Sequence, residues 1–245
     1  VTVEMCNKFL EYLRNTSQAV HTNRKLHTNT IASYWSAFLG TLHAAHRDRK
    51  IKENPCPYLE RVKTIPTDRV GLSAEELIQL AETPCDVPIL RTAFLFSCLT
   101  GLRKSDVKPF SWELIQPEAD GTLYITDRMQ KTDQIVHNPI GEEALALIDD
   151  GIREGIVFRG FKDSMTQAPL KRWVKAAGIT KHITYHSSRH TFCSLQLHAG
   201  TDVNTVKELV GHKNISTTQQ YLDSVDSRKK DAANRITIKR KEEHP

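Results

Sequence analysis

The sequence predicts a mainly α protein with one small antiparallel β-sheet, an α+β class, arranged as two domains. Three observations lead there. Apolar residues recur at helical spacing along most of the chain, two short strand-like runs flank a polar turn near its middle, and a polar stretch with Pro and Gly separates the first quarter from the rest.

In chain order, Val3, Cys6, Leu10 and Leu13 form one helical stripe, and Ile31, Tyr34, Trp35, Phe38, Leu42 and Ala45 form a second. The stretch from His21 to Thr30 between them is polar and aperiodic, as in an exposed loop. Asn54-Pro55-Cys56-Pro57 breaks the pattern, and a short apolar-basic piece ends near Thr64. Thr64 to Gly71 has linker composition, and Ser73 with Glu76 makes a Ser-x-x-Glu capping box that starts a fresh helix. The predicted organisation is a helical domain over 1–65, a linker over 66–72, a second domain over 73–225 and a basic tail over 226–245. Within the second domain, Val87 to Leu99 is apolar nearly all round, as in a buried helix. Leu123-Tyr124-Ile125 and Ile135-Val136 are the strand-like runs. Helical spacing then returns at Leu170–Ala177, His186–His198, Val203–Val210 and Ser216–Leu222.

Over 245 residues, 39% hydrophobic and 26% charged content is ordinary globular usage and excludes wholesale disorder. No apolar run approaches the roughly 20 residues of a membrane span, and no secretory signal opens the chain. Cys6, Cys56, Cys85, Cys98 and Cys193 are odd in number and never spaced C-x-x-C, against a disulfide framework or a cysteine zinc site. A reduced, cytoplasmic setting follows. The chain opens on valine, which predicts that a segment precedes it. Net charge is +5, and residues 1–65 carry ten Lys/Arg against five Asp/Glu while 66–245 carry 24 of each. Such an excess is either a solvated basic face or a surface for a polyanion, where counterion release favours clustered cations.

Three clusters stand out: Thr100-Gly101-Leu102-Arg103-Lys104-Ser105-Asp106, His186-Ser187-Ser188-Arg189-His190, and Gly211-His212 followed nine residues on by Tyr221. Singly, each has a plain structural explanation: Gly101 as a helix C-cap, Arg103 with Asp106 as a surface ion pair, Tyr221 as a core tyrosine with its hydroxyl at the rim. His182, His186 and His190 fall four apart, as metal ligands on a helix do, but the extended Ile183-Thr184-Tyr185 run takes His182 off that helix. No metal or other cofactor is expected.

Taken together, the three clusters resemble the tyrosine recombinases of the phage-integrase family. Thr100 to Asp106 matches that family's T-G-L-R-x-S-[DE], with Trp112 downstream. His186 to Phe192 matches H-x-x-R-H-T-F, and Val210 to Tyr221 nearly matches L-G-H-x-x-x-x-x-T-x-x-x-Y, with Val210 for leucine and Thr217 in the threonine slot. The family's hairpin lysine falls on Lys131-Thr132. The first segment is similar to the core-binding domain through Thr30, Tyr34, Phe38, Ile51, Asn54 and Pro55.

The resemblance implies metal-free DNA strand cleavage. Tyr221 is then the nucleophile of a covalent 3′-phosphotyrosyl intermediate, and Arg103 and Arg189 are the phosphate clamp. Lys131 is the general acid for the departing 5′ oxygen. His186 and His212 are hydrogen-bond donors to the phosphate, with His186 also an acceptor of the tyrosine proton. Asp106 orients Arg103 or His186, and His190 packs beneath the site. Two domains forming a clamp around double-stranded DNA are implied, with Arg24, Lys25, Arg47, Arg49, Lys50 and Lys52 as candidate phosphate contacts. The His21–Thr30 stretch either reaches a groove or stays an exposed loop.

The family's assembly implies a monomer in free solution, a homotetramer in the synapse, a Holliday junction, and DNA-bending accessory proteins as partners, with no membrane. The tail, with seven Lys/Arg and one Asp between Arg228 and Lys241, docks on a neighbouring subunit or contacts DNA. The implied function is site-specific recombination, the integration or excision of a phage or mobile element in a bacterial host, with room for a preceding arm-binding domain. The alternatives are a chromosome- or plasmid-dimer resolvase of the same family, a type IB topoisomerase, and a non-catalytic DNA-binding module on the same fold.

Overall fold

The computed structural model describes residues 1–15, 25–65, 69–131, 133–219 and 221. The chain divides into two compact units, Val1–Asp68 and Arg69–Pro245. Mainly helical content with one three-stranded antiparallel sheet matches the expected fold class.

The first unit is built on α1 (Val3–Asn15) and α2 (Thr28–Arg47). Both expected stripes face its core except at Tyr34, which is exposed; Cys6, Leu10 and Leu13 meet Ile31, Trp35, Leu42 and Leu59. Phe9, Trp35 and Phe38 form a ring cluster, and the Trp35 indole donates to the Glu60 carbonyl at 2.8 Å, so the buried N–H has a partner. α2 starts before its first apolar residue because His27 caps it, Nδ1 accepting from the Asn29 amide at 3.2 Å. The polar connection is therefore shorter than its composition suggests, and its residues 21–24 lie outside the described ones.

The second unit opens with a structural correction. The linker expected over 66–72 is packed structure in its second half. Leu72 is 2% exposed, its amide donates to Thr191 Oγ1 at 2.9 Å, and a Cβ on Gly71 would sit 3.0 Å from the Thr191 amide nitrogen. Residues 66–68 lie outside the described ones. The capping box forms as read: Ser73 Oγ accepts from the Glu76 amide, and Glu76 accepts from the Ser73 amide, starting α3 (Ala74–Glu82).

α4 (Pro88–Thr100) is the central helix. Leu90, Ala93, Phe94, Leu95, Phe96 and Cys98 are all buried, which explains its apolar residues on every side. Around it pack α6 (Glu142–Ile148) and α8 (Ser187–His198). The Tyr185 hydroxyl, buried beside α4, donates to the Ala93 carbonyl at 2.8 Å.

The sheet order is β1 (Ile115–Pro117), β2 (Leu123–Arg128), β3 (Ile135–Pro139), antiparallel, with Ile115 opposite Ile125 and Thr126 opposite His137. β2 and β3 are the two expected runs. β1, with three residues, is too short to show alternation and was not expected. The remaining α-helices among the described residues are α5 (Lys104–Val107), α7 (Ala168–Ala176), α9 (Val203–Leu209) and α10 (Ser216–Gln219). The helix expected to reach Leu222 is described only to Gln219, with Tyr221 in a turn. The tail over 226–245 lies outside the described residues.

Candidate active site

Two glycine corners and the start of one helix build the site. α4 ends at Gly101, whose φ of +71° makes it a left-handed C-cap. A Cβ there would stand 2.6 Å from Phe192 Cδ1, so both backbone and space call for glycine. The chain then turns through Leu102 to Arg103, which precedes α5 in extended conformation. The second corner is Gly211, at φ +60°, just after α9. It delivers His212 to the inside, where Nδ1 is hydrogen-bonded to Thr218 Oγ1 at 2.8 Å. Thr218, rather than the Thr217 of the motif slot, is the histidine's partner.

Arg189, in the first turn of α8 and 2% exposed, ties the corners together. Its Nη1 donates to the Gly101 carbonyl at 2.8 Å, and its Nη2 to the Val210 carbonyl. Arg103 is half-buried and makes a long contact to the Gly211 carbonyl at 3.4 Å. Its Nη1 is buried with no hydrogen-bond partner among the described residues. His186 sits at the exposed start of α8, its ring edge-to-face with His190 at 4.6 Å.

Tyr221 packs its ring with Phe192, Cys193, Leu197, Val206 and Val210 and is 4% exposed. Its hydroxyl is hydrogen-bonded to His190 Nδ1 and accepts from Arg69 Nη1 at 3.2 Å. These two contacts are compatible when His190 carries its hydrogen on Nε2 and takes the hydroxyl proton in the bond.

Three expected roles are corrected. His190 is not a packing residue beneath the site, because its ring touches the Tyr221 hydroxyl, the contact expected of His186. Asp106, 1% exposed, bonds neither Arg103 nor His186. Its Oδ1 accepts from the Gln130 amide and from Ser105 Oγ, both at 3.2 Å, while Oδ2 has no partner among the described residues. It therefore fastens the foot of the β2–β3 turn one residue before Lys131. Lys131 is exposed on that turn, and its charge is felt at His186; Thr132 lies outside the described residues.

The electrostatics are those of a cationic pocket. Burial, then Arg189, Arg103 and Arg69, push His212 down to about 3. His186 falls to about 4 through desolvation and then Arg189, Arg103 and Lys131. His190 falls to about 4 through burial and then His186 and Arg69. Burial raises Tyr221 to about 12, opposed by the Arg69 hydrogen bond. Burial and then Arg103 lower Arg189 to about 10, so it is still charged at neutral pH. At pH 7 the pocket holds neutral histidines and guanidinium charges. A second cation would be repelled, whereas a tetrahedral anion would relieve the repulsion and partner Arg103 Nη1.

His182 is exposed in the loop before α8, away from that helix. Among the described residues no three His, Cys, Asp or Glu side chains are grouped to hold a metal. Of the candidate phosphate contacts on the first unit, Lys25, Arg47, Arg49, Lys50 and Lys52 are all exposed, with Arg47 paired to Asp48 at 3.0 Å. Arg24 lies outside the described residues. No described helix is long and apolar enough to cross a membrane.

Arg69 was missed by sequence reasoning altogether. It stood in apparent linker composition, and only the packing of Gly71 and Leu72 on α8 brings it to a tyrosine 152 residues away.

The family model of the phage integrase family matches residues 72–228, and that of the phage integrase SAM-like domain matches residues 1–64. The chain is similar to tyrosine recombinase XerC of Xanthomonas campestris pv. campestris (strain B100), at 29% identity over 164 residues, 61% of this chain and 50% of the relative. It thus spans about half the length of the curated relatives it matches. Among solved structures, it shares its fold with XerH site-specific recombinase bound to a palindromic difH substrate in a post-cleavage complex, with TM-score 0.69 and 18% identity over 95% of this chain and 72% of that one. A lambda integrase dimer bound to a COC′ core site gives TM-score 0.69 and 19% identity over 98% and 83%.

Proposed function

The chain belongs to the phage integrase family, and from that premise we propose that it cuts and rejoins DNA in site-specific recombination, integrating or excising a phage or mobile element. The observation that carries this reading is the buried Arg103 Nη1 without a partner among the described residues, in a cationic pocket that also holds the Tyr221 hydroxyl.

In the proposed reaction, Arg103 and Arg189 face the non-bridging oxygens of a phosphodiester, and His186 and His212 donate to them as neutral imidazoles. For His212 the Thr218 hydroxyl occupies Nδ1 and leaves Nε2–H free to donate. The Tyr221 oxygen attacks phosphorus as His190 takes the phenol proton, the phosphorus–O5′ bond breaks, and Lys131 protonates the leaving 5′ oxygen. The phosphate ends on Tyr221 as a 3′-phosphotyrosyl ester that conserves the bond energy. A 5′ hydroxyl from a partner strand then attacks this ester and restores the tyrosine.

Assembly of a homotetramer on two duplexes, with exchange through a Holliday junction, completes the proposal. Exposed cations on the first unit supply affinity independent of sequence. A second reading, a recombinase resolving chromosome or plasmid dimers by the same chemistry, is favoured by the similarity to the XerC proteins.

The test is covalent trapping on nicked duplexes in the presence of chelator, read on a denaturing gel. Wild type is expected to give a DNA-linked band and Tyr221→Phe none, with equal duplex binding. A band that survives Tyr221→Phe overturns the mechanism. Binding without any band identifies a non-catalytic module.

A further inference from the structure

Resting on that reading, we infer that Arg69 is a positioning residue for the nucleophile, holding Tyr221 in place and stabilising its oxygen as the proton leaves. Its Nη1 donates both to the Thr217 carbonyl at 3.1 Å and to the Tyr221 hydroxyl at 3.2 Å, and its guanidinium lies 5.4 Å from the centre of the tyrosine ring. One side chain thus bridges α10 and the tyrosine that follows it.

The bridge links backbone to nucleophile: Thr217 lies in α10, and the Tyr221 amide donates to the Thr218 carbonyl at 3.1 Å. Arg69 itself is presented from packed backbone. Leu72 is bonded to Thr191 and Gly71 abuts α8, the helix that carries Arg189 and His190.

The energetics favour the transition state over the resting site. In the resting site Arg69 donates to a neutral hydroxyl. As His190 takes the proton, the same contact becomes an ion-pair hydrogen bond between guanidinium and phenolate, shorter and stronger than the resting one. An interaction that strengthens as charge develops lowers the barrier. The other titratable groups facing Tyr221 act differently. Arg189 is engaged by the Gly101 and Val210 carbonyls, Cys193 is a buried thiol pushed up to about 11 and so neutral, and His190 is the proton's destination. His186, Arg103 and His212 lie toward the phosphate side of the pocket.

The experiment compares wild type, Arg69→Ala, Arg69→Lys and Tyr221→Phe. Duplex affinity and the single-turnover rate of adduct formation are measured separately across pH. The Tyr221 signal in DNA-free protein labelled at the tyrosine Cζ is identified by its loss in Tyr221→Phe. Arg69→Ala is expected to bind duplex normally, to form adduct about 10- to 100-fold more slowly at neutral pH, and to have its rate–pH profile displaced to higher pH because the phenol has lost a cationic partner. Arg69→Lys recovers part of the rate, since it keeps the charge but not the two-pronged contact.

In the same set, Arg69→Ala shifts the Tyr221 carbon signal while the other tyrosine signals stay in place. An adduct rate and pH profile equal to wild type overturns the inference, and so does an unmoved Tyr221 signal. If wild type itself forms no adduct, the reaction reading fails and the tyrosine signal alone decides the Arg69 contact.

Discussion

At the scale of single residues, the pocket holds its histidines uncharged among guanidiniums. His186, His190 and His212 are depressed to about 4, 4 and 3, against about 6.5 in an unfolded chain. Between those values the unfolded chain binds more protons than the folded one, so stability rises with pH across that window and levels off above it. His190 and His212, more enclosed than His186, carry most of the effect. Denaturation midpoints are expected to fall steadily from pH 6.5 to pH 4, by at most about 1.4 kcal/mol per pH unit for each histidine titrating fully. Midpoints that stay flat over that range would show that these imidazoles are not held neutral by the fold. A bound phosphate should oppose the trend, because it offsets the cations that depress the histidines.

At the scale of elements, the proposed reacting groups stand on corners whose shape is set by backbone. Gly101→Ala puts a Cβ against Phe192 in a left-handed conformation and displaces the carbonyl that Arg189 holds. The expected loss is about 2 kcal/mol of stability together with slowed adduct formation, read by chemical denaturation and trapping. The β2–β3 turn works through Asp106, which grips the Gln130 amide beside Lys131. If that grip serves proton delivery, Asp106→Ala slows cleavage of an ordinary duplex tenfold or more on the scale of about 10²–10⁴ that a general acid contributes. A duplex with sulfur at the scissile 5′ bridging position should be spared, because a thiolate leaves without an acid. Equal slowing of both substrates would place Asp106 elsewhere in the mechanism.

At the scale of the whole molecule, charge is divided between the units. The basic excess lies within residues 1–65, and the sequence from 66 onward is balanced. Phosphate neutralisation releases counterions, so affinity falls with salt at a slope of about −0.9 per contacted phosphate. Replacing Arg47, Arg49, Lys50 and Lys52 together by Gln is expected to flatten that slope by up to about 3 to 4, weakening binding to all sequences alike. An unchanged slope would mean these exposed cations face solvent when DNA is bound. Tyr221→Phe should leave the slope as it is, since the phenol carries no charge.

Helices, caps and the proposed reacting groups were legible in the sequence because their determinants are local. Amphipathic stripes such as Cys6-Leu10-Leu13 need only helical spacing, Ser73 and Glu76 satisfy each other within one turn, and Arg103, His186, Arg189, His212 and Tyr221 stand in short motifs with defined neighbours. The three-residue β1 was invisible because its pairing with β2 is long-range and too short to leave an alternation. The packed half of the linker was hidden in the same way, since Leu72 has meaning only against Thr191. Which histidine meets the Tyr221 hydroxyl, that Asp106 grips the hairpin, and that Arg69 reaches Tyr221 were all decided by tertiary packing. Each joins side chains or amides from different elements, 24 residues apart for Asp106 and Gln130 and 152 for Arg69 and Tyr221. Hydrogen bonds at that separation depend on how α8, the hairpin and the turn after α10 come together, and no spacing along the chain encodes that distance.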